Sequence, residues 1–304
     1  MALMGLMTVG VSAQRVTDKI DRGVVVVPTS SGGYFLSWRK FGEEYYDTKY
    51  NVYRNGTLYK SDLTVTNCRV SGATNDDTYE VEAVVNGQAQ PKSAPVKPWT
   101  QTWFDVPVLP VVNRAGHTIG NSRTDGATTT SGYTLNDISL ADVTGDGVCE
   151  FIVKRNNSQG NLRSKSNNTD FNLYECYKLD GTRLWWIDLG PVLMAGPDEQ
   201  WDMIGYDWDM DGKAEMIMRG ADNMIIHTAT GKTINIGNMT AGLNVDRPEY
   251  MGVGNEYLLY LNGETGEPYG GTVPRTGRLR PTRCRSSRPA RPTPTPSGAT
   301  VATA

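Results

Sequence analysis

The sequence predicts an all-β chain: a small β-sandwich of fibronectin type III style, followed by an incomplete β-propeller. Three observations carry that prediction. Short stretches of alternating apolar and polar residues recur through the first 98 residues, broken by Ser-Gly-Gly and Asn-Gly pairs. A strand pattern then repeats, once from Ile138 and once from Met203. Each copy carries the same acidic, glycine-containing loop between its first two strands.

Taken from the start, residues 1–13 are expected to be the remnant of a secretory signal. An apolar stretch over 2–11 leads into Val11-Ser12-Ala13, a small-residue cleavage motif ahead of Gln14, although the usual basic opening is missing. A buried N-terminal segment is the alternative. The expected location is therefore secreted, periplasmic or at the cell surface. Residues 15–98 form the sandwich, with strands in GVVVVPT, GYFLSWRKF, KYNVYRNGTLYK and TYEVEAVVNG. Asn55-Gly56 and Asn86-Gly87 are hairpin turns, and Pro91, Pro95 and Pro98 mark a linker.

Residues 100–274 hold the repeats. The first reads ISLADVTGDGVCEFIVK and then NLYECYKLDGTRLWWIDLG; the second reads MIGYDWDMDGKAEMIMRG and then EYLLYLNGETGEPY. Strand, acidic loop, strand, strand, turn, strand is the order of a propeller blade, so about two blades are expected. Residues 220–254 insert a hairpin-like stretch into the second copy. From 275 to 304 the chain turns to Arg and Pro without an Asp, Glu, Lys or aromatic residue. That segment cannot build a core. It is expected to be a frameshifted end or a disordered basic tail.

Composition sets the outer limits. A net charge of −3 over 304 residues points to neither nucleic acid nor an acidic membrane surface. No apolar run beyond the N-terminus is long enough to span a bilayer. The abundant Trp and Tyr suit stacking on sugar rings, and equally suit a β-rich core. Cys68, Cys149, Cys176 and Cys284 show no disulfide spacing. Cys149 and Cys176 fall in apolar strand patterns, which favour buried free thiols. A monomer is expected.

The acidic loops are the strongest chemical signal. Asp142, Thr144, Asp146 and Glu150 in the first copy share offsets with Asp207, Asp209, Asp211 and Glu215 in the second. Oxygen donors at positions 1, 3 and 5, glycine at 6 and glutamate at 9 suit a loop wrapped round Ca2+, with the carbonyls of Val148 and Lys213 at position 7 adding to the shell. The glutamate comes three residues earlier than in an EF-hand, and strands flank the loop. Thr144 replaces a carboxylate, so the first site should bind more weakly. Calcium here is expected to brace the blade rather than touch substrate.

Long ordered strings carry a family resemblance. Ile20-Asp21-Arg22-Gly23, FLSWR at 35–39, NVYRNG at 51–56, YTLNDISLADVTGDGVCEFIVK, YKLDGTRLWWIDLG and MAGPDEQWDMIGYDWDMDGKAEMIMRGADN resemble the rhamnogalacturonan lyases of polysaccharide lyase family 11. The resemblance implies a secreted endolyase with a calcium-bearing, eight-bladed propeller, acting on the rhamnogalacturonan I backbone of pectin. Its chemistry is β-elimination at galacturonate: a base takes the C5 proton, the carboxylate absorbs charge, and the 4-linked rhamnose leaves. About half of the propeller is missing from this chain.

The resemblance also offers substrate contacts: Asn136, placed just before the first blade's strand, and Lys154 and Asn156, placed just after its second. Asn156 stands where many relatives carry an aspartate in a KWDP-like run, here KRNN. Lys154 is the candidate for neutralising the substrate carboxylate, the alternative being a strand-end residue whose stem snorkels to solvent. His227 in a strand and His117 in a loop have no visible catalytic partner, and Trp185-Trp186 are expected to pack the blade. No catalytic base stands out. The chain is expected to be an inactive fragment, poorly folded beyond its first domain because an open stack of blades leaves strand edges exposed. The competing reading is a non-catalytic, calcium-stabilised propeller for polysaccharide binding or adhesion. A glycoside hydrolase is disfavoured, since calcium occupies nearly every motif carboxylate.

Overall fold

The computed structural model describes residues 20–42, 44–119, 123–125, 128–130, 132–157, 165–193, 203–246, 253–270 and 273–274. The expected signal at 1–13 and the Arg- and Pro-rich tail with Cys284 lie outside the described residues. Every regular element described is a strand, so the all-β expectation holds. No helix among the described residues is long and apolar enough to cross a membrane.

The N-terminal unit contains β1 (Val25–Pro28), β2 (Tyr34–Ser37), β3 (Lys49–Arg54), β4 (Thr57–Leu63), β5 (Asn67–Val70), β6 (Tyr79–Val85) and β7 (Gln88–Ala89). They form two antiparallel sheets, in the orders β1-β2-β5 and β4-β3-β6-β7. Alternation decides which side chains meet between the sheets: Val26, Leu36, Val52, Val70, Val81 and Ala83 face inward, with Trp38 edge-on to Tyr50 at 5.4 Å. Both Asn-Gly pairs form the expected turns, with φ of 51° and 74° at Asn55-Gly56 and 51° and 75° at Asn86-Gly87. Left-handed backbone at both central residues is what a two-residue hairpin on twisted strands requires. A buried ion pair, Arg22 to Glu44 at 2.7 Å, closes one end, and the Tyr50 hydroxyl donates to the same carboxylate at 2.8 Å.

The proline-marked stretch remains on this unit, where Val96 exchanges backbone hydrogen bonds of 2.8 and 2.9 Å with Tyr79. Beyond Trp99 the chain becomes an extended strap. It lies against the next sheet, where the Leu109 amide donates to the Tyr177 hydroxyl at 3.1 Å and Arg155 donates to the Leu109 carbonyl at 3.3 Å. Arg114 is the strap's anchor. Its guanidinium grips Asp188 at 2.7 and 3.0 Å and reaches both the side chain and the carbonyl of Asn223, at 2.7 and 2.6 Å. A short hairpin follows, β8 (Arg123–Asp125) with β9 (Thr128–Thr130).

The repeats fold as antiparallel strands, in the order that the sequence predicts. β10 (Tyr133–Ala141), β11 (Glu150–Asn157), β12 (Leu173–Tyr177) and β13 (Arg183–Asp188) form one antiparallel meander. The second copy supplies β14 (Ile204–Tyr206), β15 (Glu215–Ala221), the inserted hairpin β16 (Met224–His227) and β17 (Thr233–Ile236), then β18 (Glu256–Leu261) and β19 (Val273–Pro274). The insertion is a hairpin, yet it does not extend its own sheet. β16 pairs with β13, giving a six-stranded sheet β10-β11-β12-β13-β16-β17 beside the four-stranded β14-β15-β18-β19. Burial explains the choice: Ile226 and Met224 join the core between the sheets, with Ile152, Cys176, Trp185, Met216 and Leu259. Neither sheet is closed on itself.

Cys176 is the buried free thiol expected. Cys149 sits in the loop ahead of β11 and is only partly buried, because the strand begins at Glu150.

Candidate metal centre

The two acidic loops share one backbone course. Position 4 is left-handed in both, Gly145 at φ 77° and Met210 at 65°, and so is position 6, Gly147 at 88° and Gly212 at 99°. The position-6 amide donates to the first aspartate, Gly147 to Asp142 at 2.8 Å and Gly212 to Asp207 at 2.9 Å. The amides of Val148 and Lys213 donate to Asp146 and Asp211, at 2.9 and 2.8 Å. Position 2 donates to the closing glutamate, Val143 to Glu150 and Trp208 to Glu215, each at 2.9 Å. The sequence repeat is thus a repeat of geometry.

The loops also touch. The Ala214 amide donates to the Asp142 carbonyl at 2.8 Å. A Cβ on Gly145 would lie 2.9 Å from the Gly212 carbonyl oxygen, so only glycine allows this approach. Val143 and Ala214 face Gly263 of the following turn, whose carbonyl accepts the Trp185 indole N–H at 2.6 Å.

Convergence separates the two. In the second loop Asp207, Asp209, Asp211 and Glu215 each bring an oxygen to one spot, all within 4.8 Å of one another. Among the described residues no other group of three His, Cys, Asp or Glu does so. Asp207 and Glu215 are buried while Asp209 and Asp211 are exposed, which makes a cup open to solvent. Lys213 forms its ion pair with Glu264 and none with the four carboxylates, although Asp211 attracts its ammonium. Burial pushes the Glu215 carboxyl above its usual range against the Trp208 amide and Tyr260 hydroxyl bonds, and Asp209 and Asp211 add to the rise. A hard divalent cation would supply the missing charge, and an all-oxygen donor set suits calcium. Burial raises Glu150 in the same way, against bonds from Thr144 and Val143.

Sequence reasoning did not single out the ring cluster beside this cup. Tyr206 and Trp208 lie 5.9 Å apart, Trp208 and Tyr260 6.1 Å, and Tyr260 and Tyr269 5.0 Å. These rings come from three separate stretches of chain, so no local pattern could have grouped them.

The proposed sugar contacts lie elsewhere, and their placement differs from expectation. Asn136 is inside β10, at a bulge between Leu135 and Ile138, and its side chain accepts the Asp137 amide at 2.8 Å. Lys154 and Asn156 are inside β11 rather than beyond it, because β10 and β12 both continue to pair that far: Asn156 faces Thr134 and Lys154 faces Tyr174. Lys154 is 0% exposed and Asn156 is 3%. His227 stacks flat on Trp186, with ring centres 3.8 Å apart, and burial lowers its pKa below the usual 6.5. Trp185 is buried in the core, so the pair divides between the two faces of β13 as alternation requires. His117 is exposed on the strap.

Residues 116–280 match the family model described as rhamnogalacturonan lyase family 11, C-terminal domain. Residues 15–99 match the rhamnogalacturonan I lyases beta-sheet domain. The chain belongs to rhamnogalacturonan lyase family 11. The two matches leave only residues 100–115, within the strap, between them. Among relatives, the chain is similar to rhamnogalacturonan endolyase YesW of Bacillus subtilis, 37% identical over 260 residues that make up 84% of this chain and 39% of the relative. Rhamnogalacturonan exolyase YesX of the same organism is 33% identical over the same shares. The crystal structure of YesW aligns at a TM-score of 0.65 and 34% identity, covering 88% of this chain and 43% of that one. A Bacillus licheniformis PL11 rhamnogalacturonan lyase aligns at 0.63 and 32%, covering 87% and 43%. The chain therefore spans about two-fifths of the length of these family 11 relatives.

Proposed function

We propose that this chain is part of a secreted rhamnogalacturonan endolyase, one that cuts the rhamnogalacturonan I backbone by calcium-dependent β-elimination. The observation that carries the reading is the pair of family matches, over residues 15–99 and 116–280. In this reading residues 15–98 are a fibronectin type III-like sandwich, which the β1-β2-β5 and β4-β3-β6-β7 orders support. The two later sheets are successive propeller blades, a reading supported by the β10-β11-β12-β13 meander within the first, the antiparallel β14-β15-β18-β19 order of the second and their shared core. Asp207, Asp209, Asp211 and Glu215 hold the calcium ion, which fixes the strand-to-strand loop. The protein works as a monomer outside the cytoplasm, where its polymer is found.

On its own the chain is expected to turn over no substrate. A chimera in which residues 15–274 replace the matching part of the Bacillus subtilis endolyase is the test. It should release products with the ultraviolet absorbance of an unsaturated uronate, and the viscosity of the polymer should fall early, as endo cutting requires. Chelation should abolish both. Reducing ends without absorbance would refute elimination, and slow viscosity loss would refute the endo mode. The burial of Lys154 takes the candidate for neutralising the substrate carboxylate out of reach of the polymer, which favours a second reading, a calcium-stabilised module that does not cut the polymer and binds it through other residues. Retention of the isolated chain on immobilised rhamnogalacturonan, with an inactive chimera, would support that reading.

A further inference from the structure

The two loops share a backbone but differ in what their carboxylates already hold. In the first loop Asp142 accepts the amides of Gly145 at 2.8 Å, Asp146 at 3.1 Å and Gly147 at 2.8 Å, using both of its oxygens. Glu150 accepts the amides of Val143 at 2.9 Å and Thr144 at 3.3 Å on one oxygen. Its other oxygen accepts the Thr144 hydroxyl at 3.0 Å. Every oxygen of these two buried carboxylates thus has a donor from within the loop. Backbone N–H groups ringing a carboxylate offset the cost of burying its charge, and at Glu150 they do so in part, since burial still raises its carboxyl.

The second loop is built the other way. Position 3 is Asp209, which cannot donate to Glu215 as Thr144 donates to Glu150; the hydroxyl donor to Glu215 is instead Tyr260, from outside the loop. The Asp211 amide turns to Asp209 at 3.1 Å, whereas its counterpart, the Asp146 amide, goes to the first aspartate. Four carboxylates then converge within 4.8 Å, and the first loop shows no such convergence.

We propose that the Asp207–Asp209–Asp211–Glu215 loop takes the cation and the Asp142–Glu150 loop takes none, its place filled by the Thr144 hydroxyl and five loop amides. This rests on the calcium reading of the second loop. It replaces the sequence expectation of a strong and a weak site with one of a site and a metal-free brace. The bracing contacts run on both sides. The Asp142 carbonyl accepts the Ala214 amide at 2.8 Å, and the Gly147 carbonyl accepts the Asp21 amide at 3.3 Å. Asp21 is itself held by Arg39 at 3.1 Å. The first loop is therefore wedged between the sandwich and the cation loop, where a rigid hydrogen-bonded turn serves better than one that reorganises as metal comes and goes.

The test counts calcium bound per chain by equilibrium dialysis, comparing variants with the parent so that other sites cancel. Asp209→Asn should lower the count by one. Asp146→Asn, at an exposed position that should not disturb folding, should leave it unchanged. Thr144→Asp, which supplies a position-3 carboxylate and removes the hydroxyl donor, should raise it by one. A fall by one in Asp146→Asn overturns the proposal, as does an unchanged count in Thr144→Asp whose circular dichroism matches the parent. An unchanged count in Asp209→Asn instead defeats the calcium reading of the second loop, so the two failures are distinguishable.

Discussion

Replacing Arg114 with methionine keeps an apolar stem and removes the guanidinium, which anchors the strap and lies 4.7 Å from the centre of the Phe171 ring. Four hydrogen bonds go with it, two to Asp188 and two to Asn223. The Asp188 side chain is 5% exposed and would retain only the Gly190 amide, at 2.8 Å. A buried charge that loses its partner costs about 3–5 kcal/mol, well above the worth of an exposed pair. Hydrogen exchange read by peptide mass localises the effect. Amides of β10–β13 should exchange roughly two to three and a half orders of magnitude faster, at about 1.4 kcal/mol per tenfold, while those of β3 and β6 stay unchanged. The sign with pH provides a second check. Burial raises the Asp188 carboxyl already, against the pull of Arg114. Without Arg114 it should rise further, so the folded state binds the extra proton and the variant's deficit should shrink as pH falls toward 4. Asp188→Asn in the same background should recover much of the loss. A deficit under about 1 kcal/mol, or full additivity of the two changes, would refute the anchoring role.

Other expectations follow from the same kind of accounting. Gly145→Ala and Gly56→Ala both place a side chain at positive φ, but only the first meets a neighbouring backbone; Gly56→Ala should cost about 1 kcal/mol in urea unfolding and Gly145→Ala clearly more, with equal losses arguing against the loop-to-loop contact. Trp185→Phe removes the buried indole bond to the Gly263 carbonyl and should cost about 1–3 kcal/mol, read from the same curves. His227 should titrate below 6.5 by NMR, since burial, aided by Arg183 and Arg114, outweighs Asp188; the folded state then binds fewer protons, so stability falls as pH drops through 6.5 and levels off below the folded pKa. Burial raises Glu44, but the bonds from Arg22, the Phe41 amide and Tyr50 outweigh it and hold the carboxyl below 4.5; its stabilisation should be present at neutral pH and fade as pH falls through that lowered value, an effect absent in Glu44→Gln.

Local rules made much of this fold legible. Asn55-Gly56 and Asn86-Gly87 state their turns outright, because few other pairs accept two left-handed residues in succession. The acidic loops were legible for the same reason, each constrained at several positions at once. What the sequence concealed was pairing at a distance. β5 reads as a polar stretch, since only Cys68 and Val70 of its four residues are buried. Nothing local says that Met224 and Ile226 belong to the first sheet's core, because a short apolar hairpin fits any open edge equally well. Lys154, Arg155 and Asn156 read as an exposed strand end, yet polar side chains this deep survive where partners exist, as Arg155 shows with Glu175 at 2.8 Å. Partners brought together by folding leave no mark on sequence spacing. The same limit hid the contrast between Thr144 and Asp209: the missing carboxylate was visible, and the hydroxyl bond that takes its place was not.

The hairpin β16–β17, contributed by the second repeat to the first sheet, sets an order of events during synthesis. β13 is complete at Asp188, but the edge it exposes is covered only by Ile225, Ile226 and His227. The ribosome must add about 50 more residues to finish β17, roughly 2.5–10 s at ordinary elongation rates, during which the nascent sheet carries an open strand edge. A gene cut between the repeats would make that interval permanent. The repeat boundary in the sequence is thus not a boundary along which the molecule can be divided, and any truncation meant to isolate the first sheet has to run past Ile236.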